Sequence, residues 1–273
     1  MSSPLPDCHA ALHELTHVRY QCADGVAQIT LDRPQAANAY SSEMLAGLET
    51  VLRHVDADAN VRAVVLTGAG KSFCAGGDLH DMAESRGMFA GEPVELLRRY
   101  EQGLQRLALA FERLAKPVIA AINGHAIGGG LTLACMCDLR VCSADARLGS
   151  TFVKLGLVPA DGSTFVLQRT VGFSRALDLM LTGRVLAADE ALTIGLVDQV
   201  VTADQVLAAA RNKAALIAQL PATAVQLTKR ACYSSSRLSM EASLELVGGY
   251  QAIAQRSQEH KDAVRQFLAA QKR

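Results

Sequence analysis

A surplus of charge of either sign is missing from this chain. Lysine and arginine number 27, aspartate and glutamate 27, so the formal net charge is zero. A nucleic-acid partner would ordinarily leave a basic patch or stripe, and the balance argues against one. Long apolar runs are missing too, because Gly, Asn or Arg interrupts each before it reaches the length of a membrane span. The first residues, MSSPLPDCHAALHEL, lack both the charged start and the apolar stretch of a secretory signal. Disulfide and zinc signatures are absent as well. The seven cysteines are odd in number, and no two have the two-residue gap of a zinc or thioredoxin-type site. They read as reduced core residues of a cytoplasmic protein.

What is present is a large apolar fraction: half of the 273 residues are hydrophobic, enough for one sizeable α/β domain with or without a helical appendage. The richest segment is KPVIAAINGHAIGGGLTLACMCD, residues 116–138. It predicts a buried strand, a turn, three glycines and an apolar helix. Consecutive glycines let a ligand approach the backbone, and the helix start leaves N–H groups unpaired at the positive end of its dipole. A second glycine turn, FCAGGDL at residues 73–79, follows an apolar strand at 63–67. Backbone donors converging from two such turns would make an oxyanion hole.

The remaining pattern is a ββα rhythm. Alternating runs flank Asp24-Gly25, a hairpin dipeptide. Ser41 and Ser42 offer an N-cap to a helix whose apolar face is Met44, Leu45, Leu48, Val51, Leu52 and Val55. Helices at 104–114 and 130–137 alternate with strands at 118–122 and 139–142. The polar, Gly- and Pro-containing stretch 82–99 predicts a mobile loop leading into a helix, a candidate lid. Beyond residue 187 the chain turns helical, at 187–194, 203–219, 222–233, 240–255 and 259–271, with apolar stripes suited to core or oligomer interface.

In these residues the sequence resembles the crotonase, or enoyl-CoA hydratase/isomerase, superfamily. Five segments match in order: ITLDRPQAANAYSSEM, VVLTGAGKSFCAGGDLHDM, KPVIAAINGHAIGGGLTLACMCDLRV, LGSTFVKLGLVPADGS with the following VGFSRALDLMLTGRVLAADEALTIGLVDQVV, and SQEHKDAVRQFLAAQKR. The resemblance implies an α/β fold, a crotonase-type spiral of ββα units with a C-terminal helical trimerisation region. Its divisions would be an N-terminal tail (1–17), the crotonase core (18–200) and the helical region (201–273). It implies an acyl-CoA thioester as substrate, no cofactor beyond the coenzyme A that the substrate carries, no metal, no membrane, and self-association as a homotrimer or dimer of trimers. The oxyanion hole would be the amides of Gly77 and Gly129, with Ala75, Asp78, Leu79, Thr132, Phe152 and Lys229 as substrate-binding positions and Asp78 also holding the first loop. Enolate formation puts negative charge on the thioester oxygen, and losing one rigid donor there costs on the order of 3 kcal/mol of barrier.

The chain departs from the hydratases of this family at both glutamates that grip their water; those positions are Thr132 and Phe152. Neither side chain shuttles a proton at neutral pH, so hydration is expected to be poor. Asp161, one residue beyond a position where some dienoyl-type isomerases carry aspartate, is the first candidate shuttle; otherwise it caps the helix starting near Gly162 and Ser163. One carboxylate suffices to move a double bond, so isomerisation ranks ahead of decarboxylation of a malonyl-type thioester, which needs no initiating base. A non-catalytic acyl-CoA-binding relative is the third alternative. His80 is a weaker base candidate, and His125 more simply fixes its turn. The basic residues usual near the CoA phosphates reduce here to Arg33, with Lys229, Arg230, Lys261, Lys272 and Arg273 as substitutes from the C-terminal helices. His9, His13 and His17 share a four-residue spacing that a helical metal site would require, though two prolines and the first strand crowd that segment.

Overall fold

The computed structural model describes residue 12 and residues 15–271. Its first strands, β1 (Val18–Ala23) and β2 (Val26–Leu31), form the antiparallel hairpin about Asp24-Gly25. Asp24 and Gly25 both have positive φ, which suits the primed turn that such a dipeptide favours. Helix α1 (Ser42–Ala57) follows, its first turn held by the Ser41 hydroxyl accepting from the Met44 amide at 3.1 Å. The apolar positions expected to face the core are all buried.

Three successive strand pairs then build the spiral. They are β3 (Ala63–Gly68) with β4 (Ser72–Cys74), β5 (Val118–Ile122) with β6 (His125–Ile127), and β7 (Leu139–Ser143) with β8 (Arg147–Gly149). The first strand of each pair enters a six-stranded sheet of order β1-β2-β3-β5-β7-β10, parallel from β2 onward. The second enters a four-stranded sheet of order β4-β6-β8-β9. Here β9 is Val185–Ala187 and β10 is Gln199–Val201. Each turn of the chain therefore adds one strand to both sheets, with β4, β6 and β8 paired in parallel.

Strands β3 and β5 are buried at every residue, the expected state of parallel strands covered on both faces. Alternate side chains separate into two clusters. Val64, Leu66, Val118, Ala120 and Ile122 join the spiral interior, whereas Ala63, Val65, Ile119 and Ala121 face Val206, Ala210 and Ala214 of α9 (Val206–Ala218). Helix α9 thus packs on the large sheet, although its composition groups it with the helices that follow. Those are α10 (Ala222–Ser235), α11 (Met240–Arg256) and α12 (Gln258–Ala270), none of which has a fully buried residue.

The stretch after the first glycine turn is more helical than its sequence suggests. Helix α2 (Leu79–Ala83), a short turn at Gly87–Phe89 and α3 (Pro93–Tyr100) occupy it. Asp78 supplies the α2 cap, and Glu92 and Glu95 form a reciprocal capping box at α3, so polar residues read as loop-forming are here helix starters. A π-helical turn at Glu101–Gln105 joins α3 to α4 (Arg106–Arg113). The second glycine turn leads into α5 (Gly129–Met136), the loop after β8 leads into α6 (Ser163–Val171), and α7 (Phe173–Thr182) and α8 (Ala188–Thr193) complete the core. No helix among the described residues is long and apolar enough to cross a membrane.

Candidate active site

The two glycine turns meet. A methyl group placed on Gly76 (φ +80°) would stand 2.7 Å from the Gly129 nitrogen and 2.7 Å from the Ile127 carbonyl oxygen. One placed on Gly129 would stand 2.7 Å from Cε2 of Tyr40, 3.3 Å from Oδ2 of Asp161 and 3.5 Å from the Gly76 Cα. Only glycine lets the backbones come this close. Among the described residues, no acceptor for the Gly77 or Gly129 amide N–H is found within the chain. Their orientation follows from the carbonyl in the same peptide plane, which points opposite to the N–H. The Gly76 oxygen accepts from the Tyr40 amide at 2.7 Å. The Gly128 oxygen accepts from the amides of Leu131 and Thr132, at 3.1 and 3.2 Å, and from the Thr132 hydroxyl at 3.3 Å.

Asp161 lies against this junction. Its side chain is buried, with Oδ1 accepting from the Ser163 amide at 3.1 Å. Both sequence readings of Asp161 therefore apply in part, because one oxygen holds the start of α6 while the other faces Gly129. Oδ2 is buried without a hydrogen-bond partner. Desolvation pushes the carboxyl above the usual range, opposed by the nearby Thr132 hydroxyl and by the amides of Ser163 and its own residue. Tyr40 is fully buried beside it, and its hydroxyl donates to the Gly129 carbonyl at 2.9 Å. Burial first, then the neighbouring Cys74 and Asp161, holds the Tyr40 phenol well above its ordinary value, so it stays a neutral donor.

The first loop is braced from behind. Asp78 pairs with Arg33 at 2.8 Å and accepts from the His80 amide at 2.9 Å. Burial would raise its pKa, but Arg33 and the amides of His80 and Asp81 outweigh burial and hold it below the usual range. Asn38, fully buried, donates to the carbonyls of Ala69 and Ser72 and accepts from the Arg33 amide. Gln105, on the π-turn, donates to the Ala160 carbonyl at 3.2 Å and so steadies the loop that carries Asp161. Tyr40, Asn38 and Gln105 have no sequence signature of their own; each acts through one long-range hydrogen bond or more that periodicity does not reveal.

Other candidate residues are placed differently. Ala75 and Phe152 are half-buried, Leu79 is 58 % exposed, and His80 is exposed. His125 accepts from the Arg147 amide at 3.2 Å and ties β6 to β8, in keeping with a turn-fixing role. Lys229, expected to add charge for the CoA phosphates, is instead engaged inside the protein. Its ammonium pairs with Asp138 at 2.7 Å and donates to the Lys116 carbonyl at 2.9 Å, with its side chain only 8 % exposed. His17 has its ring nitrogen 2.8 Å from the Ser41 hydroxyl; His9 and His13 lie outside the described residues. No cluster of metal-ligating side chains occurs among the described residues. Burial pushes the thiols of Cys74 and Cys142 up to about 12 and that of Cys135 up to about 11, as suits inert core cysteines.

Access to the junction is narrow. The Met82 methyl and the Phe89 ring occupy the space against Gly77. A cavity of about 1140 Å³ has Ala160 and Gly162 in its wall, with Gln105, Ala108 and Met136 beside them. A smaller one, of about 230 Å³, lies between α1 and the π-turn. Neither has Gly77, Gly129 or Asp161 among its lining residues.

Similarity to known proteins agrees with this architecture. Residues 21–273 match the enoyl-CoA hydratase/isomerase family. The chain belongs to that family. It is 37 % identical over 256 residues to the 1,2-epoxyphenylacetyl-CoA isomerase of Escherichia coli (strain K12), covering 93 % of this chain and 95 % of that one. It is 36 % identical to the short-chain-enoyl-CoA hydratase of Clostridium acetobutylicum, over 95 % of this chain and 97 % of that one. The crystal structure of an enoyl-CoA hydratase from Bacillus anthracis superposes with a TM-score of 0.88 at 32 % identity, covering 93 % of this chain and 97 % of that one. The chain therefore has the crotonase fold and belongs among the enzymes named for enoyl-CoA hydration and isomerisation.

Proposed function

We propose that this family member acts on an acyl-CoA thioester as a double-bond isomerase. The amides of Gly77 and Gly129 hold the thioester oxygen as it becomes an enolate oxygen, and Asp161 moves the proton. The observation that carries this reading is one carboxyl oxygen, Oδ2 of Asp161, buried and unpartnered against Gly129. The resemblance to the family adds the expectation that Thr132 and Phe152 replace the hydratase glutamates. An isomerase removes a proton from one carbon and returns it to another, so one shuttle is enough. Hydration needs a second group to activate water. Burial supports the role, because desolvation raises the carboxyl above its ordinary range and so makes its ionised form a stronger base.

Coenzyme A enters as part of the substrate, with no other cofactor. Its phosphates fall to exposed bases such as Lys261 and Arg230, not to Lys229, which Asp138 engages, nor to Arg33, which Asp78 engages. Self-association as a trimer or dimer of trimers is part of the same proposal. It is supported by apolar side chains left exposed on the last three helices, among them Leu244, Ile253 and Phe267.

The test is a panel of 3-enoyl-, dienoyl-, malonyl- and crotonyl-CoA thioesters with purified protein and its Asp161→Asn variant. Isomerisation of an unsaturated thioester that the variant loses, with little hydration of crotonyl-CoA, is the expected result. Hydratase turnover at the level of that family's hydratases would defeat the proposal. The crowding of Gly77 by Met82 and Phe89 favours a second reading, a non-catalytic acyl-CoA-binding relative. Tight binding of acetoacetyl-CoA without turnover on any thioester would select it. Turnover of the malonyl thioester alone would select a decarboxylase.

A further inference from the structure

Tyr40 touches both glycine turns by different parts of itself. Its main-chain N–H donates to the Gly76 carbonyl at 2.7 Å, and its phenolic hydroxyl donates to the Gly129 carbonyl at 2.9 Å. The Gly76 carbonyl belongs to the peptide that carries the Gly77 N–H, so the first bond sets the direction of that donor. Gly129 is the first residue of α5, where no preceding helical turn restrains it. The second bond holds the Gly129 carbonyl, on the far side of that residue from its N–H, and so ties Gly129 to the segment that already holds Gly76. The Gly128 carbonyl, held by Leu131 and Thr132, sets the direction of the Gly129 N–H. The Tyr40 ring covers the Gly129 Cα, leaving no room there even for a methyl group. Tyr40 is itself held: it is 3 % exposed, and the Ser41 cap of α1 follows it directly.

From this geometry we infer that Tyr40 is a positioning residue that holds the Gly129 amide in register with the Gly77 amide. The inference rests on the reading of those two amides as an oxyanion hole. Stabilisation of a developing charge depends on donors that are already aimed when the charge appears, because reorienting them at that moment returns the cost to the barrier. Two donors on separate loops drift relative to one another unless something spans the loops. Tyr40 spans them, its main-chain N–H on Gly76 and its hydroxyl on Gly129. Its effect is therefore confined to species with charge on the thioester oxygen, and binding of a saturated acyl-CoA is indifferent to it.

The test is Tyr40→Phe, which keeps the ring over Gly129 and removes the hydroxyl. The expected result is a fall in kcat of about tenfold with KM within about twofold, since the donor is misaimed rather than lost. Affinity for acetoacetyl-CoA, an enolate mimic, falls in the same proportion, and affinity for butyryl-CoA does not. The pH profile of kcat keeps its position. Unchanged kcat and unchanged acetoacetyl-CoA affinity in the variant would overturn the inference. So would loss of one limb of the pH profile, which would make Tyr40 a proton donor instead. Wild-type protein that binds acetoacetyl-CoA no better than butyryl-CoA would sink the oxyanion-hole reading and this inference with it. A wild-type preference that survives in Tyr40→Phe sinks this inference alone. Replacement of Tyr40 by 3-fluorotyrosine keeps both ring and donor and guards against a folding defect in the phenylalanine variant. It is expected to keep wild-type kcat, and a tenfold fall there would also overturn the assignment.

Discussion

The spiral core and the last three helices solve different problems. In the core, β3 and β5 bury every residue, and the glycine turns approach until main chain meets main chain. In α10, α11 and α12 no residue is fully buried, and Met240, Leu244, Ile253, Val264, Phe267 and Leu268 stay exposed. The core satisfies itself; the helical end leaves apolar surface that one copy does not cover. Several contacts tie the two together, among them Arg62 with Glu259 of α12 and a buried joint at Asp138. Asp138 accepts from the Val118 amide in the core and from Lys229 and Tyr233 of α10.

The sharpest way to break the contrast is Gly130→Ala. The new methyl would overlap the Cys74 carbonyl, which is backbone and has nowhere to move. A loss above about 4 kcal/mol is expected, read as loss of soluble folded protein or a collapsed urea midpoint. An ordinary midpoint would mean that the turns are not rigid. Asp138→Ala comes next. It strands Lys229, nearly fully buried, without its partner, at a cost of about 3–5 kcal/mol, with new proteolytic cleavage within α10. Resistance equal to wild type would show that the helical end docks without this joint.

Asp161→Asn separates function from stability. Isomerase activity should fall at least about 100-fold, whereas Tm at neutral pH stays level or rises. The sign follows from linkage. The folded-state pKa of Asp161 is raised by desolvation, so the folded protein holds its proton to higher pH than the unfolded chain. Stability is then lost as pH climbs from the unfolded pKa through the folded one, and asparagine removes that loss. Below the unfolded pKa the two proteins should converge. A variant markedly less stable than wild type at neutral pH would make Asp161 chiefly a helix cap. If Asp161 acts as a base, wild-type activity also rises with pH through the same raised pKa.

The smallest expected effect on the single chain is that of Leu244→Asp or Phe267→Glu. Both side chains are already mostly exposed, at 62 % and 65 %, so monomer stability should change by less than about 0.5 kcal/mol. Native mass, measured by light scattering, should instead fall toward that of one copy. An unchanged mass would mean that these helices are not the interface.

Much of the site was legible because its chemistry is written locally. Glycines at fixed offsets after apolar strands announced both turns. The helix starts at Asp78 and Glu92 were read as loop because short acceptors and acids serve turns and N-caps alike. Lys229 was misread for another reason. A lysine on a mostly polar helix looks solvated until the fold brings a buried carboxylate beneath it.

The sequence by itself determined the ββα rhythm, the family and the two glycine turns. Each of these depends on residue type and spacing along the chain. Tertiary structure alone decided that Gly76 and Gly129 touch, that one oxygen of Asp161 is left unpartnered beside them, that Tyr40 bridges the turns and that Lys229 serves Asp138. Those facts join residues about 30 to 90 positions apart, and only burial sets the local dielectric that raises a carboxyl pKa.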